Sequence, residues 1–192
     1  MTGSIKGLVL FHGAGSDRTH PALEAIEKQV KPVPVKRVNF PYRRAGKPFP
    51  DRTPVLLECV RKEVLAAAKK WDVDVSSIAI GGRSMGGRMC SMIAAGEECD
   101  PIGVGALVLI SYPLHPPGKP EKLRADHLKR IKVPTLFVHA TNDPFATPEE
   151  LRKYGRTVKG PKKFVFIDGG SHELKKKNDI VASSVGDWLS AL

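Results

Sequence analysis

Short apolar runs alternate with amphipathic segments along the whole chain. The apolar runs occupy residues 7–12, 35–40, 77–81, 106–111, 135–140 and 163–168. Their continuous apolar character is typical of strands that helices cover on both faces. Helical spacing occurs between them, at residues 21–30, 53–71, 121–131, 147–154 and 178–192, and directly after Ser84. The pattern predicts an α/β fold with about six mostly parallel strands and helices on both faces of the sheet.

Two of the predicted helices have recognisable first residues. Thr53 and Pro54 fit the N-cap and the first helical position of the helix at 53–71. Thr147, Pro148 and Glu150 have the spacing of a capping box, which predicts a helix start directly after the stretch "TNDPFA".

Composition narrows the class of protein. The chain has 192 residues, of which 41% are hydrophobic, so we expect one domain over residues 1–192 rather than two independent cores. The only early apolar run, "LVLF", is too short for a signal peptide, and no stretch approaches the ~18 to 20 apolar residues that span a bilayer. We therefore expect no membrane partner.

The three cysteines and the net charge add two expectations. Cys59, Cys90 and Cys99 lack paired metal-type spacing, which indicates reduced thiols of a cytoplasmic protein and predicts no metal or other cofactor. The net charge of +11 makes nucleic acid a minor hypothesis, because the cations are spread along the chain without interleaved aromatic residues or a recognisable binding motif.

A serine between glycines follows the third apolar run. Gly82, Ser84 and Gly86 form the pattern G-x-S-x-G at the predicted passage from strand to helix. Such a turn has strained backbone angles that small neighbours tolerate, and it lifts the serine Oγ above the sheet. Serine among glycines before a helix also occurs as a plain N-cap or in a phosphate-binding turn. Ser84 is thus a candidate nucleophile, and its partners decide between these interpretations.

Asp143 and His172 follow Ser84 in the order that a Ser-Asp-His arrangement requires. Asp143 lies just past the fifth apolar run and His172 just past the sixth. A serine hydroxyl is a weak nucleophile without a base, and the base needs a carboxylate that fixes its tautomer. Since the carboxyl ends of parallel strands meet at one edge of a sheet, we expect the three side chains to form a catalytic triad.

The loop after the first apolar run, "LFHGAGSD", supplies a candidate oxyanion hole. Glycines at 13 and 15 let the chain approach a substrate carbonyl, so the backbone amides of Ala14 and Met85 are the expected donors. A dinucleotide-binding loop is the rival interpretation. The segment "GAGSDR" lacks the third glycine of the G-x-G-x-x-G motif, and no acidic residue ends the second apolar run, as ribose binding would require. We expect His12 to brace this loop.

The sequence resembles the serine α/β-hydrolases, and among them a small group related to dienelactone hydrolases. More narrowly, it is similar to the predicted hydrolase family that includes a testis-expressed protein and a subunit of a histone-acetyltransferase complex. The segments that carry this likeness are "FHGAGSD", "FPYRRAGKPFPDR", "GGRSMGGRM", "SYPLHPPGKPEKLRADHL", "ATNDPF" and "GGSH". The resemblance implies a triad of Ser84, Asp143 and His172 with Ala14 and Met85 as oxyanion donors. Dienelactone hydrolases use cysteine where this chain has Ser84, so lactone specificity does not carry over.

The expected substrate is a small or accessible carboxyl ester or thioester. Only one short segment separates the run at 106–111 from the run at 135–140, which leaves no room for a lid domain. The expected lining residues lie on loops at strand ends and are Phe40, Tyr42, Tyr112, Leu114, His115 and Phe145. A subsidiary hypothesis is an anionic ester that pairs with Arg43 or Arg44, on a basic rim with Lys47, Arg52, Lys119 and Lys175 to Lys177.

Two functions of other classes stay open on the sequence alone. The first is a non-catalytic interaction module that keeps the hydrolase fold, which an intact triad disfavours. The second is an anion or nucleotide binder of flavodoxin-like topology, which needs a phosphate loop that the sequence does not show.

Overall fold

The computed structural model describes residues 4–192, which form one parallel six-stranded sheet with helices on both faces. The strands are β1 (Gly7–Phe11), β2 (Val35–Val38), β3 (Ile78–Arg83), β4 (Ala106–Ile110), β5 (Thr135–Ala140) and β6 (Lys162–Ile167). Their order in the sheet is β2-β1-β3-β4-β5-β6. Every adjacent pair is parallel. The predicted α/β fold is confirmed.

Within residues 4–192, six α-helices cover the sheet in two layers. They are α1 (Pro21–Gln29), α2 (Pro41–Arg44), α3 (Thr53–Trp71), α4 (Met85–Ala95), α5 (Pro148–Gly155) and α6 (Asn178–Ser190). Helices α1 and α6 pack on one face, where Leu23, Ile26, Val181 and Val185 are buried. Helices α3, α4 and α5 pack on the other face. Because both faces are covered, strands β1, β3 and β4 are buried along their whole length, as their continuous apolar sequences predict.

The helix starts agree with the sequence at one position and differ at another. Thr147 caps α5, and its side chain and that of Glu150 form the complete capping box that was predicted. Helix α3 begins at Thr53, so its N-cap is Arg52 rather than Thr53.

The helix predicted at 121–131 is wrong in type, because only a 3-10 helix forms there, over Asp126–Arg130. Helix α2 was not predicted, although Pro41 suits its first turn.

The topology creates a crevice at the carboxyl ends of the central strands. Strand β1 lies between β2 and β3, so the connections that leave β1 and β3 run to opposite sides. Ligands of open α/β sheets bind at such a reversal point. The stretch between β4 and β5 holds only the 3-10 helix, so no lid domain covers the crevice, as expected. Within residues 4–192, no helix is long and apolar enough to cross a membrane.

Gly82 in β3 and Gly86 in α4 both lie in close contact with the end of β1. A Cβ on either residue would lie far inside van der Waals contact with the Phe11 carbonyl oxygen, which is backbone and cannot turn away. We therefore expect Gly82→Ala to lower the free energy of unfolding by roughly 3 kcal/mol, through overpacking. Urea unfolding measures this. Gly103→Ala is the matched control because a Cβ there meets nothing within 4 Å. Equal stabilities of the two variants would contradict the packing argument.

Candidate active site

Ser84 occupies the sharp turn between β3 and α4. Its backbone lies at φ 51° and ψ −117°, a conformation that non-glycine residues rarely adopt. Residues held in such regions are found mostly at functional sites. Ser84 stands at the N-cap position of α4, yet its side chain makes no capping hydrogen bond. The plain N-cap interpretation is therefore wrong for the side chain, whose Oγ is directed elsewhere.

The Ser84 hydroxyl is joined to His172 and Asp143 by a chain of hydrogen bonds. Ser84 Oγ lies 2.9 Å from His172 Nε2. On the other side of the ring, His172 Nδ1 lies 2.8 Å and 3.0 Å from the two carboxylate oxygens of Asp143. With Asp143 accepting from Nδ1–H, the neutral ring has its lone pair on Nε2, facing the serine hydroxyl. The structure thus brings together the three side chains that the sequence singled out.

Asp143 is held in place by its own loop. Its side chain is fully buried at the carboxyl end of β5. Its Oδ1 accepts a hydrogen bond of 2.9 Å from the Phe145 amide, and His139 Nε2 lies 3.6 Å from its Oδ2. Burial lowers the pKa of His139, which favours its neutral form beside Asp143. His172 is therefore the side chain that pairs closely with the Asp143 carboxylate.

The loop after β1 places its amides beside Ser84. Ala14 and Met85 both line the cleft that contains the Ser84 side chain. Among the described residues, neither amide donates a hydrogen bond to another protein group. Two uncommitted N–H groups next to the serine match the arrangement expected of an oxyanion hole.

Buried side chains from neighbouring elements fix this loop. His12 Nε2 accepts a hydrogen bond from the Phe40 amide, so Nδ1 carries the proton and donates to the Gly13 carbonyl at 2.7 Å. The expected bracing role of His12 is confirmed. The Tyr42 hydroxyl donates to the Ala14 carbonyl at 2.7 Å, and Arg43 Nε donates to the Ser16 carbonyl at 2.8 Å.

Most of the expected substrate-lining side chains do not reach the cleft. Tyr42, Tyr112, Leu114 and Phe40 are at most 1% exposed and belong to the hydrophobic core, and His115 is buried with Nε2 3.3 Å from Glu150. Arg43 lies against the oxyanion loop, and Arg44 pairs with Glu63. Only Phe145 lines the cleft as expected. Its ring centroid lies 4.1 Å from that of His172.

The cleft itself has a volume of about 370 Å³ and is open to solvent. Its lining residues are Gly13, Ala14, Gly15, Arg83, Ser84, Met85, Arg88, Pro113, Arg124, Phe145, His172 and Glu173. This set contains four charged side chains that the sequence reasoning did not assign to the site: Arg83, Arg88, Arg124 and Glu173. A polar, shallow cleft of this size suits a small ligand.

Arg83 supports the loop that carries His172. Its side chain is 5% exposed, its Nη2 donates to the His172 carbonyl at 2.9 Å, and it forms an ion pair of 2.7 Å with Glu173. The pair with Arg83 lowers the pKa of the Glu173 carboxyl, although burial opposes that shift. Arg83 is the residue directly before Ser84, so one strand end positions both the hydroxyl and the imidazole loop. The sequence feature that points to this supporting role is the arginine at the second position of the G-x-S-x-G motif.

A buried polar cluster lies close enough to Arg88 for its charge to act on it. His127 Nε2 lies 2.7 Å from Ser91 Oγ and 3.1 Å from the Tyr112 hydroxyl. Burial, and next the positive charge of Arg88, lower the pKa of His127 to about 4. Burial also raises the pKa of Tyr112 to about 12. Both groups are therefore neutral near pH 7.

The lowered pKa of His127 makes stability depend on pH. In the unfolded chain His127 binds a proton near pH 6.5, whereas in the folded protein it does so only near pH 4. The free energy of unfolding therefore decreases as the pH falls from about 6.5 to about 4. Between about pH 7 and about pH 5 the loss amounts to roughly 2 kcal/mol. Urea unfolding at the two pH values measures this loss. We expect the free energy of unfolding of His127→Gln to decrease by roughly 2 kcal/mol less than that of the parent. An identical loss in both proteins would contradict a neutral buried His127.

No group of three or more His, Cys, Asp or Glu side chains within residues 4–192 is arranged to hold a metal ion.

The sheet order, the turn at Ser84 and the hydrogen-bonded Ser-His-Asp chain define an α/β-hydrolase-type protein. Residues 4–188 match the alpha/beta hydrolase domain family, and the chain belongs to that family.

Solved structures with the same fold agree with this assignment. Est1E from Butyrivibrio proteoclasticus aligns with 98% of this chain and 88% of its own, at 17% identity and a TM-score of 0.76. Dienelactone hydrolase from Anabaena variabilis aligns with 98% of this chain and 87% of its own, at 18% identity and a TM-score of 0.71. An esterase domain from a Rhodothermus marinus protein aligns over 97% and 87%, at 16% identity and a TM-score of 0.70. At these identities the likeness shows a common fold.

Proposed function

We propose that the protein is a serine hydrolase that cleaves a small or accessible carboxyl ester, or thioester, through an acyl-enzyme. The observation that carries this proposal is the unbroken chain from Ser84 Oγ through His172 to Asp143. Membership of a hydrolase family and likeness to esterase structures support it. The same motifs support a relation to the predicted hydrolase family with a testis-expressed member, and the cysteine pattern supports a cytoplasmic location.

Acylation follows from the directions of the three side chains. Ser84 Oγ attacks the ester carbonyl carbon while His172 Nε2 takes the hydroxyl proton. Asp143 holds the ring in the required tautomer and stabilises the imidazolium that forms. The negative charge on the former carbonyl oxygen is stabilised by the amides of Ala14 and Met85. Collapse of this intermediate breaks the ester bond, and His172 returns the proton to the leaving alcohol.

Deacylation repeats the same steps with water. His172 Nε2 takes a proton from a water molecule, whose oxygen attacks the acyl carbon on Ser84 Oγ. The second tetrahedral intermediate then releases the acid and restores the serine hydroxyl. Water reaches the acyl group because no lid domain covers the cleft.

A non-catalytic interaction module is the alternative. The strained backbone at Ser84 disfavours it, because a scaffold has no use for a serine held at positive φ with its hydroxyl on an imidazole. Hydrolysis of 4-nitrophenyl acetate by the purified protein, compared with the Ser84→Ala variant, separates the two functions. Turnover that depends on Ser84 supports the hydrolase, and the absence of turnover over a panel of short esters contradicts it.

The open cleft gives long acyl chains no advantage over short ones. In a buried channel, each added methylene of the acyl chain would contribute about 0.8 kcal/mol of binding free energy. The shallow cleft leaves a long chain in water, so the added methylenes gain no such free energy, and we expect kcat/KM to be no higher for dodecanoyl than for butyryl esters of the same leaving group. Initial rates below the critical micelle concentration measure this, and a maximum at long chains would contradict the expectation.

A further inference from the structure

The charges that line the cleft do not cancel. Glu173 is the one carboxylate in the lining, and it is paired with Arg83 at 2.7 Å. The other two guanidinium groups, those of Arg88 and Arg124, have no ion-pair partner among residues 4–192. The wall of the cleft therefore carries two uncompensated positive charges.

Arg88 stands one helical turn from the proposed nucleophile. Its amide donates to the Ser84 carbonyl at 3.0 Å, as the first turn of α4 requires. Arg88 and Ser84 both line the same cleft, so the guanidinium and the serine hydroxyl face one ligand space. The Arg88 Nε is buried and has no hydrogen-bond partner. A buried cationic donor without a partner is costly, which favours a ligand that supplies the acceptor.

Arg124 approaches the same place from the loop between β4 and β5. Arg124 is exposed on this loop. Partial desolvation and the positive charge of Arg88 nevertheless lower the pKa of its guanidinium, so the two cations act on each other. The neighbouring groups His127 and Tyr112 are neutral near pH 7 and supply no negative charge. Two like charges that line one cleft repel each other, and an anion bound between them would relieve that repulsion.

We propose that Arg88 and Arg124 form an anion-binding subsite, which selects esters that carry a carboxylate or phosphate group a few bonds from the scissile carbonyl. The proposal rests on the function proposed for Ser84. The sequence suggested Arg43 and Arg44 for this role, but their side chains are engaged with Ser16 and Glu63. The planar fork of a guanidinium pairs both oxygens of such a group.

Matched substrates test the subsite by kinetics. The anionic substrates are 4-nitrophenyl hemiglutarate, charged on the acyl side, and 4-acetoxybenzoate, charged on the leaving group. Their neutral counterparts are 4-nitrophenyl pentanoate and 4-acetoxybenzamide. We expect kcat/KM to be at least about tenfold higher for the anionic member of one pair. That ratio falls about tenfold in Arg88→Gln and in Arg124→Gln, and it falls with added salt in the parent.

Lys122→Gln is the matched control. Lys122 is exposed on the same loop as Arg124 and does not line the cleft, so the variant removes one charge without touching the subsite. If Lys122→Gln lowers the ratio as much as Arg124→Gln, general attraction by the basic surface explains the preference and the subsite is overturned. Equal kcat/KM for both members of both pairs in the parent overturns it as well.

A binding measurement keeps the subsite testable if the protein does not turn over any ester. Calorimetric titration of Ser84→Ala with monomethyl glutarate, methyl 4-phosphonobutyrate and dimethyl glutarate separates the two anions from a neutral ligand. We expect one or both anions to bind at least about tenfold more tightly than the neutral diester, and to lose that advantage when Arg124→Gln is added. Equal affinities overturn the subsite, while absent turnover alone overturns the hydrolase and leaves this result standing.

Discussion

Replacing Ser84 by alanine is expected to lower kcat/KM for short esters by about 10⁴-fold or more. Without the hydroxyl oxygen no acyl-enzyme forms, and the remaining oxyanion donors give only residual catalysis. The fold should persist, because the one hydrogen bond of this side chain is to His172 and the turn is held by Gly82 and Gly86. Stopped-flow or initial-rate assays with 4-nitrophenyl acetate measure the loss, and thermal unfolding checks the fold.

Ser183→Ala is the control for that experiment. Ser183 lies on α6, where its hydroxyl donates to the Ile180 carbonyl, away from the cleft. It should keep the parental rate and unfolding temperature. A Ser84→Ala variant that is folded and as active as Ser183→Ala would exclude Ser84 as the nucleophile.

Asp143→Asn is expected to lower kcat by about 10⁴-fold near neutral pH. An asparagine amide donates to His172 Nδ1, which moves the ring proton to Nε2 and removes the lone pair that accepts the serine proton. The Phe145 amide still finds an acceptor in the asparagine oxygen, so the loop should keep its conformation. The rate of p-nitrophenol release over a range of pH values measures the effect.

Asp168→Asn provides the comparison for the carboxylate. Asp168 is exposed directly after β6, so it is also an aspartate at a strand end, but it lies outside the lining of the cleft. We expect full activity from this variant. Comparable rates in Asp143→Asn and Asp168→Asn would contradict the orienting role of Asp143.

The sheet could be predicted from sequence because its central strands, β1, β3, β4 and β5, are buried on both faces. Continuous apolar runs, each followed by a polar loop residue, mark both the strand and its carboxyl end. The positions of Ser84, Asp143 and His172 follow from that edge, since parallel strands bring their carboxyl ends together. Their hydrogen-bonded contacts in the structure agree with this reasoning.

The lining of the cleft could not be predicted in the same way. A strand end locates a backbone position and not the direction of the side chain. Tyr42 and Tyr112 follow their strands as expected, yet both turn inward to satisfy buried polar groups, the Ala14 carbonyl and the Ser91–His127 pair. Arg88 and Arg124 reach the cleft from a helix face and a long loop. Their approach depends on how α4 packs against the chain between β4 and β5, which no local pattern encodes.

The most direct test of Ser84 as the activated nucleophile is to map where a fluorophosphonate reacts with the protein. Such probes phosphonylate a serine only when a neighbouring base and an oxyanion hole activate it. We expect one adduct per chain, mapped to Ser84 by peptide mass spectrometry, formed by the folded protein and lost in heat-denatured protein and in Ser84→Ala. An adduct at another residue, or an unmodified Ser84 in folded protein, would contradict it.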